Sequence, residues 1–155
     1  MPAATEAFTA AGTTLAFDYN GVPATYNQAG YEGGGVSFVA VGEVVDLGEF
    51  GRQYALVTHN PIGNRRTVKR KGSFNDGQIT LQLARVISNV GQAELKLGLA
   101  SDSPGPIRIV LQDGTKLYCM AVVMSQTINL GAVDQIVGST VVLELTHDII
   151  EVAPA

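Results

Sequence analysis

Any chemistry in this chain rests on few side chains. His59 and His147 stand far apart, without the H-x-x-x-H or H-E-x-x-H spacing that sets two ring nitrogens on one helix face, so they do not read as a metal site. His59 opens a loop with no acidic neighbour, and His147 beside Asp148 near a strand end reads as an exposed edge pair. Cys119, the single cysteine, lies between Tyr118 and Met120 in an apolar run and reads as a small core residue rather than a nucleophile. One cysteine also excludes a disulfide framework and a thiolate zinc site. Ser73 and Ser139 each follow a glycine but lack the second glycine of a nucleophile elbow. Gly33-Gly34-Gly35 lacks the Lys-Ser/Thr ending and the following helix of a phosphate loop, and Asn75-Asp76-Gly77 lacks the ligand ladder of a calcium loop. No carboxylate pair stands out as an acid/base couple. The expectation is a protein without catalysis, metal or cofactor.

What does ask for a partner is charge. Five of the ten Lys and Arg residues fall within one short run, Arg65, Arg66, Lys69, Arg70 and Lys71, while fourteen Asp and Glu are spread over the rest, for a net charge of −4. Like charges so close repel one another unless an acidic surface stands opposite. A second copy of this acidic chain offers such a surface. Nucleic acid is the other candidate, but no aromatic residue lies within the run to stack on bases, and a general basic face is absent.

The elements that must carry this segment are short. The chain has 155 residues, 46% of them apolar and only 15% charged, against an ordinary charged share of about 25%. That composition excludes disorder and suits one domain, residues 1–155, with a full core. No apolar run approaches a membrane span, the N-terminus lacks the pattern of a signal peptide, and the single cysteine suits a reducing cytoplasm. Residues 1–12, rich in Ala and Thr without a period, read as a mobile arm. Thr13–Phe17 and Val22–Tyr26 flank Asn20-Gly21 as a hairpin, and Gln28–Gly35 reads as a flexible loop. Val36–Val45 reads as one strand run and Gln53–Thr58 as a shorter one. Gln78–Leu83 alternates with Ile79, Leu81 and Leu83 on one side. Asn89 and Gln92, at capping-box spacing, open a helix over about 90–100, with Val90, Ala93, Leu97 and Ala100 on its apolar stripe. Ile107–Leu111 and Leu117–Met124 form a second hairpin around Gln112-Asp113-Gly114, and Thr140–Ile149 is a last strand with Val141, Leu143 and Leu145 inward. About eight strands and one helix predict a mainly β fold, a sandwich or barrel with a flanking helix and a long basic loop.

The order of these pieces carries a resemblance. Val41-Gly42-Glu43-Val44-Val45-Asp46-Leu47-Gly48-Glu49-Phe50-Gly51 leads into a strand and the basic loop. There follow Lys71-Gly72-Ser73-Phe74-Asn75-Asp76-Gly77-Gln78-Ile79-Thr80-Leu81, the Gly91-Gln92-Ala93-Glu94-Leu95 helix, and Ile107–Leu111 running into Asp113-Gly114. This succession resembles the major tail tube proteins of long-tailed bacteriophages with flexible, non-contractile tails, most sharply over about residues 41–83. The resemblance implies a β-sandwich with a flanking helix whose subunits form hexameric rings. Rings stack around a tape-measure protein alongside other tail proteins, and DNA later passes through the lumen. It implies a virion tail component made in the host cytoplasm. The family's long inter-ring loop maps onto roughly His59–Gly77, which makes Arg65, Arg66, Lys69, Arg70 and Lys71 candidate self-assembly residues. An acidic body also suits a channel through which DNA slides without sticking.

Two other classes compete. A small β-sandwich binding module for carbohydrate or a receptor would be expected to show aromatics around a groove, yet Trp is absent and Phe and Tyr total 6%. A nucleic-acid binder using Arg65 to Lys71 would show an affinity that falls steeply with salt.

Overall fold

The structure is a computed structural model and describes residues 6–154. Residues 6–12 are exposed and form neither helix nor strand; the remainder of the expected arm, residues 1–5, lies outside the described residues. Ten strands and two helices follow: β1 Thr14–Phe17, α1 Gln28–Tyr31, β2 Val39–Val41, β3 Val44–Asp46, β4 Gln53–His59, β5 Val68–Asn75, β6 Gln78–Ala84, α2 Val90–Ala100, β7 Gly105–Val110, β8 Lys116–Asn129, β9 Gly138–Leu145 and β10 Ile150–Val152. The fold is mainly β, as composition and turn density predict.

Eight strands form one antiparallel sheet in the order β2-β1-β7-β8-β9-β6-β3, with β10 beside β8. Its two ends, β2 and β3, are separated in the chain only by Gly42 and Glu43. Three Cα steps reach at most about 11 Å, so the sheet must curl until those edges come close. The curl encloses the main core, in which Leu15, Phe17, Ile79, Leu81, Leu143 and Val141 are almost completely buried. Strict alternation delivers these side chains: β9 reads half-buried, buried in turn along its whole length, and β6 buries Ile79, Leu81 and Leu83. β8 is long enough to serve two partners, pairing β7 along its first half and β9 along its second. A register shift between Val123 and Ser125 interrupts its pairing with β9.

The helix begins where the capping pattern places it, with the Asn89 side chain accepting from the Gln92 amide at 3.1 Å. Its buried face is different from the expected stripe. Gly91, Gln92, Leu95 and Gly98 face inward, whereas Val90, Ala93, Leu97 and Ala100 face out. The cause is close packing. A Cβ on Gly91 would collide with the carbonyl of Ala40, and one on Gly98 would stand 2.9 Å from both Phe17 and Val123. The glycines let the helix sit directly on β1, β2 and β8, so residues three and four apart from them go inward. Buried Gln92 is fully engaged: its amide nitrogen donates to the carbonyls of Gly42 (3.1 Å) and Ala84 (2.9 Å), and its oxygen accepts from Val86 N–H (2.9 Å).

Four local expectations are corrected. Val22–Tyr26 is not a strand, because β1 is already flanked by β2 and β7 and has no free edge. Buried Asp18 organises the turn instead, accepting from Ser37 N–H at 2.8 Å. Gln28–Gly35 is not a loop throughout: α1 is capped by Asn27, and its Tyr31 is buried against Tyr118, ring centroids 5.4 Å apart. Val36–Val45 is not one strand but the two edge strands β2 and β3, broken where Glu43 takes φ 60°. Thr140–Ile149 ends as a strand at Leu145, and β10 forms separately after a short link.

Candidate assembly site

The five clustered cations sit on a β-hairpin rather than on a long loop. β4 and β5 pair in register from Gln53↔Asn75 to His59↔Val68 and form a two-stranded sheet of their own. Lys69, Arg70 and Lys71 therefore lie on β5, and only Arg65 and Arg66 belong to the connecting loop. The charge run conceals a strand because β5 has no buried face to impose an apolar alternation: every residue of β4 is exposed, as are six of the eight in β5. All five basic residues are exposed, and among the described residues none of them forms an ion pair.

Pairing alone would leave such a hairpin marginal. Its base is held by Tyr54 and Phe74, which face each other across the strands with ring centroids 5.4 Å apart. Lys71 Nζ lies 4.6 Å from the Tyr54 centroid and the Arg52 guanidinium 4.1 Å from that of Phe74, so cations cap both rings. Arg52 also ties the hairpin to the body. Its Nε donates to Asp76 at 3.1 Å and its Nη2 to Asp148, 96 residues away. Hydrogen bonding to Asp76, then contact with Tyr54, holds this guanidinium even more firmly protonated than usual. A register shift between Tyr54 and Leu56 is matched by Gly72, where a Cβ would stand 2.9 Å from Val57.

Beyond this base the hairpin presents apolar area without cover. Leu56, Val57 and Ile62 are exposed, Ile62 completely. At the β3 edge of the eight-stranded sheet, Val45 and Ile136 line one shallow pocket, and Ile87 and Val133 are also uncovered; Val133 is 99% exposed and Ile136 82%. The Arg85 amide donates to the Val137 carbonyl (2.9 Å), holding the two connecting loops together.

The residues considered for chemistry are placed elsewhere. His59 ends β4 in solvent, and His147 packs its ring on Tyr26 (4.1 Å) while Asp148 turns to Arg52. Cys119 is buried, and its thiol donates to the His147 carbonyl at 3.0 Å. Burial pushes that thiol up to about 11, which keeps it neutral and unreactive at ordinary pH. Sequence reasoning missed Arg52, Tyr54 and Phe74. Tyr54 and Phe74 stand at the body-side ends of the two strands, a cross-strand signal readable only once β5 is recognised; the Arg52–Asp148 pair leaves no local signal.

No protein-family model matches the chain, and no curated protein does. Solved structures do. A chain of the anti-feeding prophage baseplate, 6-fold symmetrised, aligns with TM-score 0.72 at 14% identity, covering 97% of both chains. The sheath/tube terminator of an extracellular contractile injection system (PVC) in its extended state aligns at 0.63 and 13%, over 97% of this chain and 100% of that one. The SPP1 tail tube aligns at 0.59 and 11%, over 91% and 76%. What this chain has in common with components of phage tails and contractile injection systems is its fold, along nearly its whole length.

Proposed function

We propose that the chain is a structural subunit of a tail-type tube, associating with itself as stacked rings, hexameric by analogy with the 6-fold symmetrised relative. The observation that carries this reading is the β4–β5 hairpin, a charged element with both faces open on a body whose own core is complete. An element with so little internal support is explained by a partner that covers it. The SPP1 tail tube and the contractile-system terminator, which share the fold, support a tube as the assembly. Arg65, Arg66, Lys69, Arg70 and Lys71 then serve as ring-to-ring contacts, and the apolar region around Val45, Ile87, Val133 and Ile136 as a contact within a ring. Other proposed partners are a tape-measure protein and further tail proteins, with DNA passing the lumen without specific binding and no membrane involved. Its place is the virion tail, after synthesis in the host cytoplasm. The role is non-enzymatic.

Negative-stain microscopy of the purified chain at high concentration tests the reading. Rings or tubes are the expected result. A particle that stays monomeric under every condition, and in lysate of infected cells, overturns it; retention of a glycan by that monomer would favour the binding-module class.

A further inference from the structure

At the foot of the β4–β5 hairpin, on the body side of Arg52, two clefts of about 600 and 390 Å³ meet at Phe50, Gly51 and Arg52. Between them they bring together the carboxylates of Glu49, Asp76, Asp148 and Glu151 against the single guanidinium of Arg52. Arg52 engages Asp76 and Asp148, while exposed Glu49 and Glu151 have no ion-pair partner among the described residues. Leu117, Ile149 and Ile150 supply apolar walls. The groove is therefore apolar and negative. The hairpin tip is its complement: Arg65 and Arg66 stand beside fully exposed Ile62, in a turn closed by Asn64 N–H on the Pro61 carbonyl (3.3 Å) and Arg66 N–H on Asn64 Oδ1 (3.0 Å).

We infer that the acidic groove at Glu49 and Glu151 is the seat for the basic hairpin tip of a second copy of this chain. The inference rests on the self-association reading and assigns it a surface. Tip and groove of one molecule cannot meet. Six residue steps of paired strand separate Gln53–Asn75 from His59–Val68, about 20 Å at roughly 3.3 Å per step. The occupant must come from another molecule, and a second copy carries both the cations and the apolar tip residue that the groove fits. Each copy offers one tip and one groove, so the contact is head-to-tail, and with copies related by translation along an axis it repeats from one layer to the next. That is the geometry of a stack. Nucleic acid, the other polyanion the tip could meet, would leave the groove without an occupant.

Charge reversal on the full-length chain decides it. R65E/R66E alone and E49K/E151K alone should each raise the concentration needed for assembly about tenfold or more, since like charge then faces like charge. Mixed in equal amounts, the two variants should assemble again, because the acidic tips fit the basic grooves while the unaltered tips and grooves still match. A single chain bearing all four reversals should likewise recover. Thermal unfolding of each variant checks that the subunit is folded, and E49Q/E151Q, with milder chemistry, should weaken assembly in the same direction. Wild-type assembly with E49K/E151K assembling equally well, or a mixture that fails to recover, overturns this inference alone. Salt-sensitive DNA binding by the tip with groove reversal silent does the same. A wild-type chain that never assembles overturns the self-association reading and the inference with it.

Discussion

The curled sheet with α2 and the β4–β5 hairpin are both built from antiparallel ladders, and they hold their shape by opposite means. In the sheet every second residue of β6 and β9 is buried, and the helix is pressed against it through Gly91 and Gly98 with Leu95 between them. Its register follows from burial, because a slip of one residue would turn the apolar set to solvent. The hairpin buries almost nothing; its register rests on the Tyr54–Phe74 pair, the cations over those rings and the Arg52 tether. One region is complete in the monomer. The other is open on both faces and is the proposed contact element, so substitutions in the two should fail in different assays.

The largest effect belongs to the sheet. Leu81 is wholly buried between β3 and β9, so Leu81→Ala should destabilise the subunit by about 2–5 kcal/mol, read from urea unfolding. Gly91→Ala should also be costly, because its Cβ meets the Ala40 carbonyl and the helix must move off the sheet. A variant as stable as wild type at either site would mean that the core packs less closely than described.

Assembly should respond to the hairpin instead. Replacing Arg65, Arg66, Lys69, Arg70 and Lys71 together with Ser removes exposed charges that form no ion pair within the described residues, with only the Lys71 contact on Tyr54 lost, so the urea midpoint should fall by little. The proposed ring stacking should fall sharply. Wild-type assembly should weaken as salt rises, since screening acts over about 8–10 Å near physiological ionic strength. Sedimentation across a salt series reads both. If the subunit itself unfolded, the hairpin would be part of the folding unit and the contrast with the sheet would fail.

A finer probe lies at the boundary. Arg52→Gln removes the guanidinium shared by Asp76, Asp148 and the Phe74 ring. Amide exchange in β4 and β5 should speed up by several-fold to about tenfold, with β6 and β9 unchanged. Equal acceleration in both sheets would show that the hairpin is not an independent unit.

The same division explains what was legible in the sequence. Ile79, Leu81 and Leu83, like Val141, Leu143 and Leu145, announce their strands because a one-sided core imposes a local period of two. Asn89 announces the helix start because capping is a contact three residues long. The helix face was not legible: which side goes inward is decided by how closely the Ala40 backbone and Phe17 approach two glycines, and those neighbours lie far away in sequence. Glu43, a non-glycine residue at positive φ, hides the break that sends β2 and β3 to opposite edges. At the candidate site the charges were readable as a cluster, since composition is local. Their strand was not, because β5 is specified by its pairing with β4 and not by burial.

The smallest effect at ordinary pH, and the one that tests the seal of the core, concerns Cys119 and Tyr118. Burial raises the Cys119 thiol from 9.0 to about 11, and burial together with the hydrogen bond to Glu32 raises the Tyr118 hydroxyl from 10.0 to about 12. Both groups are neutral when protonated, and both ionise more readily in the unfolded chain than in the folded one. Their contribution is thus fully present below the unfolded values and is lost as pH rises through the folded ones. Stability should be level from about pH 7 to about pH 9 and decline from there towards about pH 12, with Cys119 responsible for the first part of the fall. Cys119→Ala should flatten that first part while lowering the plateau, because it removes the thiol and leaves a small cavity. Urea midpoints measured along this pH series read the result, and native-state alkylation gives an independent check, since a sealed thiol reacts only when the subunit opens. A midpoint that stays level through about pH 11 in the wild type, or rapid alkylation of the folded chain, would show that solvent reaches the strand pair β8–β10. The sheet would then be as open on that side as the hairpin is on both of its faces.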